Sequence, residues 1–162
     1  MDGMRILQPS DRDQLAEVYR DAVISQAHGL YSDSQLEAWA NHGWRSDVIE
    51  RALQQGFGLA SLATTSTNTI EAFAVLEPLD RLALLYCRGR SCRQGRSSAL
   101  VGALESHAKQ HGCQQLRTEA SQLSRPLLER LGWQVDAEET VLFVGVVFTR
   151  WRMIKPLTLP NP

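Results

Sequence analysis

Apolar residues recur every three or four positions in five stretches of the chain, and this spacing predicts five helices. Ser10 or Asp11 is a candidate cap for the first helix, which we expect to end near Gln26, and Ser32 or Asp33 is a candidate cap for the second. The apolar positions are, helix by helix, Leu15, Val18, Tyr19, Ala22 and Val23; Leu36, Trp39 and Ala40; Val48, Ile49 and Leu53; Leu100, Leu104 and Ala108; Leu123, Leu127, Leu128 and Leu131.

Short apolar segments between these helices predict seven strands. The polar sequence TSTN at 65–68 is typical of a turn and would join two of the strands in a hairpin. The order of elements indicates an α/β (α+β) fold in which helices cover both faces of a mixed sheet. The predicted strands are 5–7, 57–64, 70–76, 81–87, 116–120, 133–136 and 141–153.

The length of 162 residues suits a single domain with its own core, which we assign to residues 1–156, with 157–162 as a flexible tail. The formal net charge of −1 argues against a protein that binds nucleic acid or anionic lipid with its whole surface. No segment has the pattern of a signal peptide or the length of a membrane span. Three cysteines without a repeated C-x-x-C spacing suggest reduced thiols. We therefore expect a cytoplasmic protein that contacts neither nucleic acid nor membrane.

The junction between the strand that ends at Cys87 and the helix that contains Leu100 is rich in arginine, with one residue each at positions 88, 90, 93 and 96. Gly95, Ser97 and Ser98 stand where the helix begins, and the first N–H groups of a helix have no partner within it. Such a junction can bind a phosphate group through its backbone. The alternative interpretation is a basic loop that is simply solvated.

Other residues that often carry chemistry have a structural interpretation as well. His107 and His111 have the spacing of metal ligands, but no Glu stands beside the first histidine as a zinc hydrolase requires, so we predict no metal site. Cys87 and Cys92 lie near the arginines, which would lower the pKa of a thiol, whereas a buried Cys87 would be inert. His28 is either a base or a solvated loop residue.

Three segments resemble the GNAT N-acetyltransferase family. LLYCRGRSCRQGRSSAL at 84–100 is similar to the family pattern LYVxPxYQRQGIGSAL, although the central motif retains only Gly95, with Cys92 and Ser97 on either side. ASQLSRPLLERLGW at 120–133 is similar to SxxAxxFYxxxGF. YSDSQLEAWA at 31–40, together with FT at 148–149 and Met153, resembles a bacterial, YafP-like branch of these enzymes.

The resemblance implies a mostly antiparallel sheet of six to seven strands with a V-shaped splay between the fourth and fifth strands. It also implies acetyl-CoA as co-substrate. The pantetheine arm would lie along Tyr86 and Cys87, with Ser121 either bound to it or capping the next helix. The diphosphate would lie on the backbone of the loop residues, which are Arg93, Gln94, Gly95, Arg96, Ser97 and Ser98.

The resemblance further implies direct acetyl transfer to a primary amine of a small molecule or peptide. Leu128 stands where many members have a tyrosine that protonates the leaving thiolate, and leucine cannot donate a proton. Glu119 would act as a base or order a water, or would be an edge glutamate paired with Arg117 or with an arginine of the loop. Tyr31 would reach the amine. A catalytically weak module that binds acyl-CoA is the alternative, and a homodimer through the C-terminal strands is expected.

Overall fold

The computed structural model describes residues 3–157. Its strands are β1 Met4–Ile6, β2 Phe57–Leu62, β3 Ile70–Leu76, β4 Arg81–Cys87, β5 Gln115–Ala120, β6 Gln134–Phe143 and β7 Val146–Pro156. Its helices are α1 Arg12–Gln26, α2 Asp33–Ala40, α3 His42–Arg45, α4 Val48–Gln55, α5 Arg96–Gln110 and α6 Arg125–Arg130.

The seven strands form one sheet in the order β1-β2-β3-β4-β5-β7-β6. Every neighbouring pair is antiparallel except β4 and β5, which run parallel with α5 between them in the chain. The predicted mixed, mostly antiparallel sheet with flanking helices is therefore confirmed.

Two apolar cores lie on opposite faces of the sheet. All seven residues of β3 are buried, and because side chains alternate across a strand, Phe73 and Val75 join the core beneath α1 while Ala72, Ala74 and Leu76 join the core beneath α5. A strand that is buried on both faces is typically a continuous apolar run, as residues 72–76 are here.

The helix caps confirm one prediction and correct another. Ser32 caps α2: its Oγ accepts a hydrogen bond from the Gln35 N–H at 3.2 Å, and Gln35 Oε1 accepts one from the Ser32 N–H at 2.8 Å. The carboxylate of Asp11 does not cap α1, because it accepts hydrogen bonds from Arg5 and from the backbone N–H of Gln8 instead.

The predicted bounds of the last two strands were wrong. β6 runs on to Phe143 instead of ending at 136, and β7 spans Val146–Pro156 instead of 141–153. The two strands are joined at Val144 and Gly145, whose φ angles of 50° and 74° suit a tight hairpin turn. The sequence missed this because β6 is an edge strand with many exposed polar residues and therefore lacks an apolar alternation. The short helix α3 was missed as well.

The end of the described chain is part of the core. Leu157, which the sequence assigned to the flexible tail, is instead buried, and its N–H donates a hydrogen bond to the Gln114 carbonyl at 2.8 Å. Residues 158–162 of that predicted tail lie outside the described residues. Within residues 3–157, none of the helices has the length and apolar character needed to cross a membrane.

Candidate active site

The strands β4 and β5 pair at only two positions, at the start of β4. Arg81 lies opposite Arg117 and Leu82 opposite Thr118, whose Oγ1 donates a hydrogen bond to the Leu82 carbonyl at 2.6 Å. Beyond this pair the strands separate, which confirms the predicted splay.

The gap between the two strands opens into a cavity of about 300 Å³. Its lining includes Tyr86, which packs against the core beneath α1, and Leu128, which belongs to the core beneath α5. The cavity thus passes from one side of the sheet to the other. The cavity brings together six of the predicted site residues, namely Tyr31, Tyr86, Cys87, Glu119, Ser121 and, at the start of α5, Ser97.

Unpartnered backbone N–H groups line the loop before α5. Among the described residues, none of the N–H groups from Arg93 to Ser98 donates a hydrogen bond to another group of the chain. Arg93 and Gly95 have positive φ angles of 61° and 80°, which turn successive N–H groups toward one side. A Cβ built on Gly95 would have no atom within 4 Å, so the space above it is open. This geometry suits an anion held by the backbone at a helix start.

Three of the four arginines around this loop bind the protein itself. Arg96 donates to Ser61 Oγ at 2.9 Å and to the Leu62 carbonyl at 2.8 Å. The Arg96 side chain is therefore held against β2. Arg88 and Arg90 both pair with the buried carboxylate of Glu71, at 3.4 and 3.0 Å. The arginines therefore contribute less positive charge to the candidate phosphate site than the sequence suggested. That site, which we call the cradle, consists mainly of the backbone N–H groups from Arg93 to Ser98.

The helix α1 fixes the end of β4 and the loop that follows. Asp21 Oδ2 accepts a hydrogen bond from the Gly89 N–H at 2.8 Å, and Gln26 Nε2 donates to the Cys87 carbonyl at 2.5 Å. A Cβ on Gly89 would lie 2.5 Å from Ser25 Oγ, so only glycine fits there. Sequence reasoning missed Asp21, Gln26 and Glu71, because these contacts join residues far apart in the chain.

The two cysteines beside the loop are not activated. Burial raises the pKa of the Cys87 thiol to about 12, and burial also raises the pKa of Cys92. Both thiols donate weakly to the Arg88 carbonyl, at 3.5 and 3.4 Å. The interpretation of Cys87 as an inert buried residue is therefore the correct one.

Glu119 lines the cavity and is held by an arginine, although not by either of the expected ones. Arg81 Nε donates to Glu119 Oε2 at 3.0 Å, while Arg117 pairs with Asp80 at 3.2 Å. The parallel register explains this, because it places the start of β4 beside the middle of β5. The ion pair keeps the Glu119 carboxylate at the base of the splay.

Tyr31 and Ser121 meet at the mouth of the cavity. The Tyr31 hydroxyl oxygen accepts a hydrogen bond from the Gln122 N–H at 2.8 Å, and burial raises the pKa of this phenol, so it is neutral at pH 7. Ser121 Oγ accepts from the N–H groups of Leu123 and Ser124, at 3.2 and 3.1 Å. Ser121 therefore organises the turn before α6 and lines the cavity, but the prediction that it caps α6 was wrong, because the N-cap residue is Ser124 and α6 has no side-chain cap.

The side chain of Tyr86 is part of a cluster of aromatic residues in the cavity lining, a role that the sequence did not suggest. Trp39 Nε1 donates a hydrogen bond to the Tyr86 hydroxyl oxygen at 3.1 Å, and the Tyr19 ring centroid lies 4.2 Å from that of Tyr86. Burial raises the pKa of Tyr86, which keeps its proton. Trp39, expected in the core, also lines the cavity. The side chain of Leu128 is buried there and offers no proton.

Three of the four histidines, namely His28, His107 and His111, lie outside the cavity lining. The His107 ring stacks on Phe57 with centroids 3.5 Å apart, and His111 Nδ1 lies 2.8 Å from the His107 carbonyl oxygen. His28 forms an isolated bridge with Tyr31. In the part of the chain that the structure describes, no cluster of three His, Cys, Asp or Glu residues could hold a metal ion.

Comparison with known proteins agrees with the family that the sequence motifs resemble. Residues 28–155 match the model of a family described as acetyltransferase (GNAT) domain. An uncharacterised N-acetyltransferase of Escherichia coli K12, YafP, is 25% identical over 150 residues, which are 93% of each chain. A GCN5-related N-acetyltransferase of Rhodopseudomonas palustris superposes with a TM-score of 0.88 at 22% identity over 94% of both chains. The PaiA N-acetyltransferase of Thermoplasma acidophilum, solved with coenzyme A, gives 0.67 at 19% over 94% of this chain and 98% of that one.

Proposed function

The chain belongs to the GNAT acetyltransferase family, as its sequence motifs predicted, and from this premise we propose that it transfers an acetyl group from acetyl-CoA to a primary amine. The observation that carries the proposal is the run of unpartnered N–H groups from Arg93 to Ser98 beside a cavity that crosses the sheet. A diphosphate matches such a cradle in charge and in hydrogen bonding. The coenzyme A in the structure of the Thermoplasma relative supports the same ligand class.

The proposed reaction follows from the residues around the splay. The pantetheine arm would lie along Tyr86 and Cys87, where β4 still pairs with β3 but no longer pairs with β5 and lines the cavity. The amine nitrogen would attack the thioester carbon directly, forming the C–N bond while the C–S bond breaks. Glu119 would accept the proton that the amine loses, either directly or through water.

The leaving thiolate would take its proton from water, because the position that holds a tyrosine in the family pattern is Leu128. A thiolate leaves readily, and holding amine and thioester together supplies much of the rate. Tyr31 would contact the amine at the mouth of the cavity. A cytoplasmic location and a homodimer through the C-terminal strands stay predictions.

The second candidate is a GNAT-like module that binds acyl-CoA with little turnover. Leu128 favours it because a proton donor is missing at that position, and Cys92 and Ser97 favour it because they depart from the family motif. The two candidates share the cradle and differ only in chemistry.

Calorimetry with acetyl-CoA, followed by a thiol-release assay with a panel of amines, tests both candidates. The enzyme binds acetyl-CoA and releases CoA only when an amine is present. The module binds acetyl-CoA and releases no CoA with any amine. An absence of binding at millimolar acetyl-CoA overturns both.

A further inference from the structure

We infer that the acceptor is a primary amine on an aromatic body that carries no second positive charge. This inference rests on the proposed function and concerns the part of the same cavity that would receive the amine. Two independent observations carry it: the side chains that form the wall, and the charges around them.

The wall of the cavity beneath α2 is aromatic. The ring of Tyr31 lies 5.3 Å from that of Trp39 and 5.8 Å from that of Phe148, centroid to centroid. Trp39 and Phe148 meet edge to face at 6.3 Å. All three residues line the cavity. Rings in such contacts form a continuous surface that favours a flat apolar partner.

The wall continues beyond Phe148 along the hairpin of β6 and β7. Phe143 lies 5.6 Å from Phe148, and the His42 ring lies 4.5 Å from Phe143. Gln35 Nε2 donates a hydrogen bond to the Val147 carbonyl at 2.9 Å and thereby ties α2 to the hairpin. The aromatic surface is therefore built from two elements that hold each other in place.

The charges of this region disfavour a second cation. Among the described residues that line the cavity, Glu119 is the one carboxylate, and Arg81 already pairs with it. Arg150 also lines the cavity, and it shares the carboxylate of Glu139 with Arg152, at 2.5 and 3.5 Å, so these three side chains together carry one net positive charge. A second ammonium group on the acceptor would lose its hydration and find no counter-ion.

The reacting amine itself is compatible with this surface. Aromatic faces attract a single ammonium group, and that group becomes neutral before it attacks the thioester. Diamines and polycationic sugars carry further ammonium groups and are disfavoured as acceptors. Arylalkylamines with a single amino group combine an aromatic body with only one positive charge.

Three amines separate the two parts of the inference. Phenethylamine is an aromatic monoamine, hexylamine is an aliphatic monoamine, and 1,6-diaminohexane adds a second cation to the same aliphatic chain. We expect kcat/KM to fall by about tenfold from phenethylamine to hexylamine and by a further factor of about ten to the diamine. A diamine as good as hexylamine overturns the charge argument, and hexylamine as good as phenethylamine overturns the aromatic argument.

A matched pair of variants locates the effect. Phe148→Leu should lower kcat/KM for phenethylamine about tenfold, change it less for hexylamine and leave the Kd of acetyl-CoA unchanged. Phe57→Leu, at a ring that lies outside the cavity lining, should change none of these values. Equal losses with both amines overturn the assignment of the wall.

If Phe148→Leu does not fold, the kcat/KM values of the three amines with the unaltered protein test the inference instead. Without acetyl-CoA binding the proposed function fails as well, whereas binding with preferential acetylation of the diamine overturns this inference alone.

Discussion

Arg81 and Glu119 form an ion pair across the closed end of the splay, with Nε 3.0 Å from Oε2 and 3.3 Å from Oε1. Both side chains are mostly buried, with 28% and 19% of their surfaces exposed. The parallel register sets Arg81 opposite Arg117, and Glu119, two residues further along β5 on the same face, lies within reach of Arg81. The fold thus delivers a positioned carboxylate to the place where an amine would lose its proton.

Replacement of that carboxylate tests its role. Glu119→Gln should lower kcat about 100-fold, because the amide cannot accept the proton, and should leave the Kd of acetyl-CoA unchanged. Thiol release gives kcat and calorimetry gives Kd. Glu138→Gln, at an exposed position on β6, is the control and should change neither. An unchanged kcat in Glu119→Gln would show that this residue is a structural edge glutamate.

The buried carboxylate of Glu71 should matter more for stability than its exposed partner does. Glu71→Ala leaves Arg88, whose side chain is 15% exposed, with only the carboxylate of Glu17 at 3.7 Å as an ion-pair partner, and should lower the free energy of unfolding by about 2 kcal/mol. Arg90 is 63% exposed, so Arg90→Ala should cost less than about 1 kcal/mol. Urea denaturation measures both values. Equal losses in the two variants would contradict the anchoring of the loop by Glu71.

Features encoded by neighbouring residues could be predicted from the sequence. The apolar run 81–87 followed by Gly95 is enough to predict a buried strand, a turn and a helix start, and the cradle follows from that order. The splay followed from the resemblance, since no local pattern reports where two parallel strands separate.

Features that depend on long-range contacts could not be predicted. Arg96 looks like any basic residue at a helix start, and its bond to Ser61 depends on how β2 passes the loop. The aromatic wall of Tyr31 and Phe148 joins residues more than 100 positions apart. No helix or strand periodicity relates two positions so far apart, so only the folded structure shows that the two rings are in contact.

The ion pair between Arg5 and Asp11 predicts a dependence of stability on pH. Hydrogen bonds from Arg5 and from the Gln8 N–H lower the pKa of Asp11 below its usual value of 3.8. A carboxyl whose folded pKa is lowered stabilises the fold above the unfolded pKa and loses that contribution as the pH falls through the folded pKa. In urea denaturation, Asp11→Asn should therefore be less stable than the unaltered protein at pH 6, and the difference should shrink below about pH 4. A difference that stays constant down to pH 2 would contradict this prediction.

Gly95, just before α5, and Gly102, within α5, provide a matched test of the cradle, because a Cβ on either would have no atom within 4 Å. Gly95→Glu places bulk and negative charge where the diphosphate would bind and should abolish acetyl-CoA binding in calorimetry. Gly102→Glu adds the same group about two turns further along and should leave the Kd unchanged. Helix starts favour negative charge, so a loss of binding in Gly95→Glu does not follow from the charge weakening α5. Gly95→Ala separates the strain at φ 80°, a cost of about 1–2 kcal/mol, from the effect of charge. Unchanged affinity in Gly95→Glu would show that this loop is not the binding site.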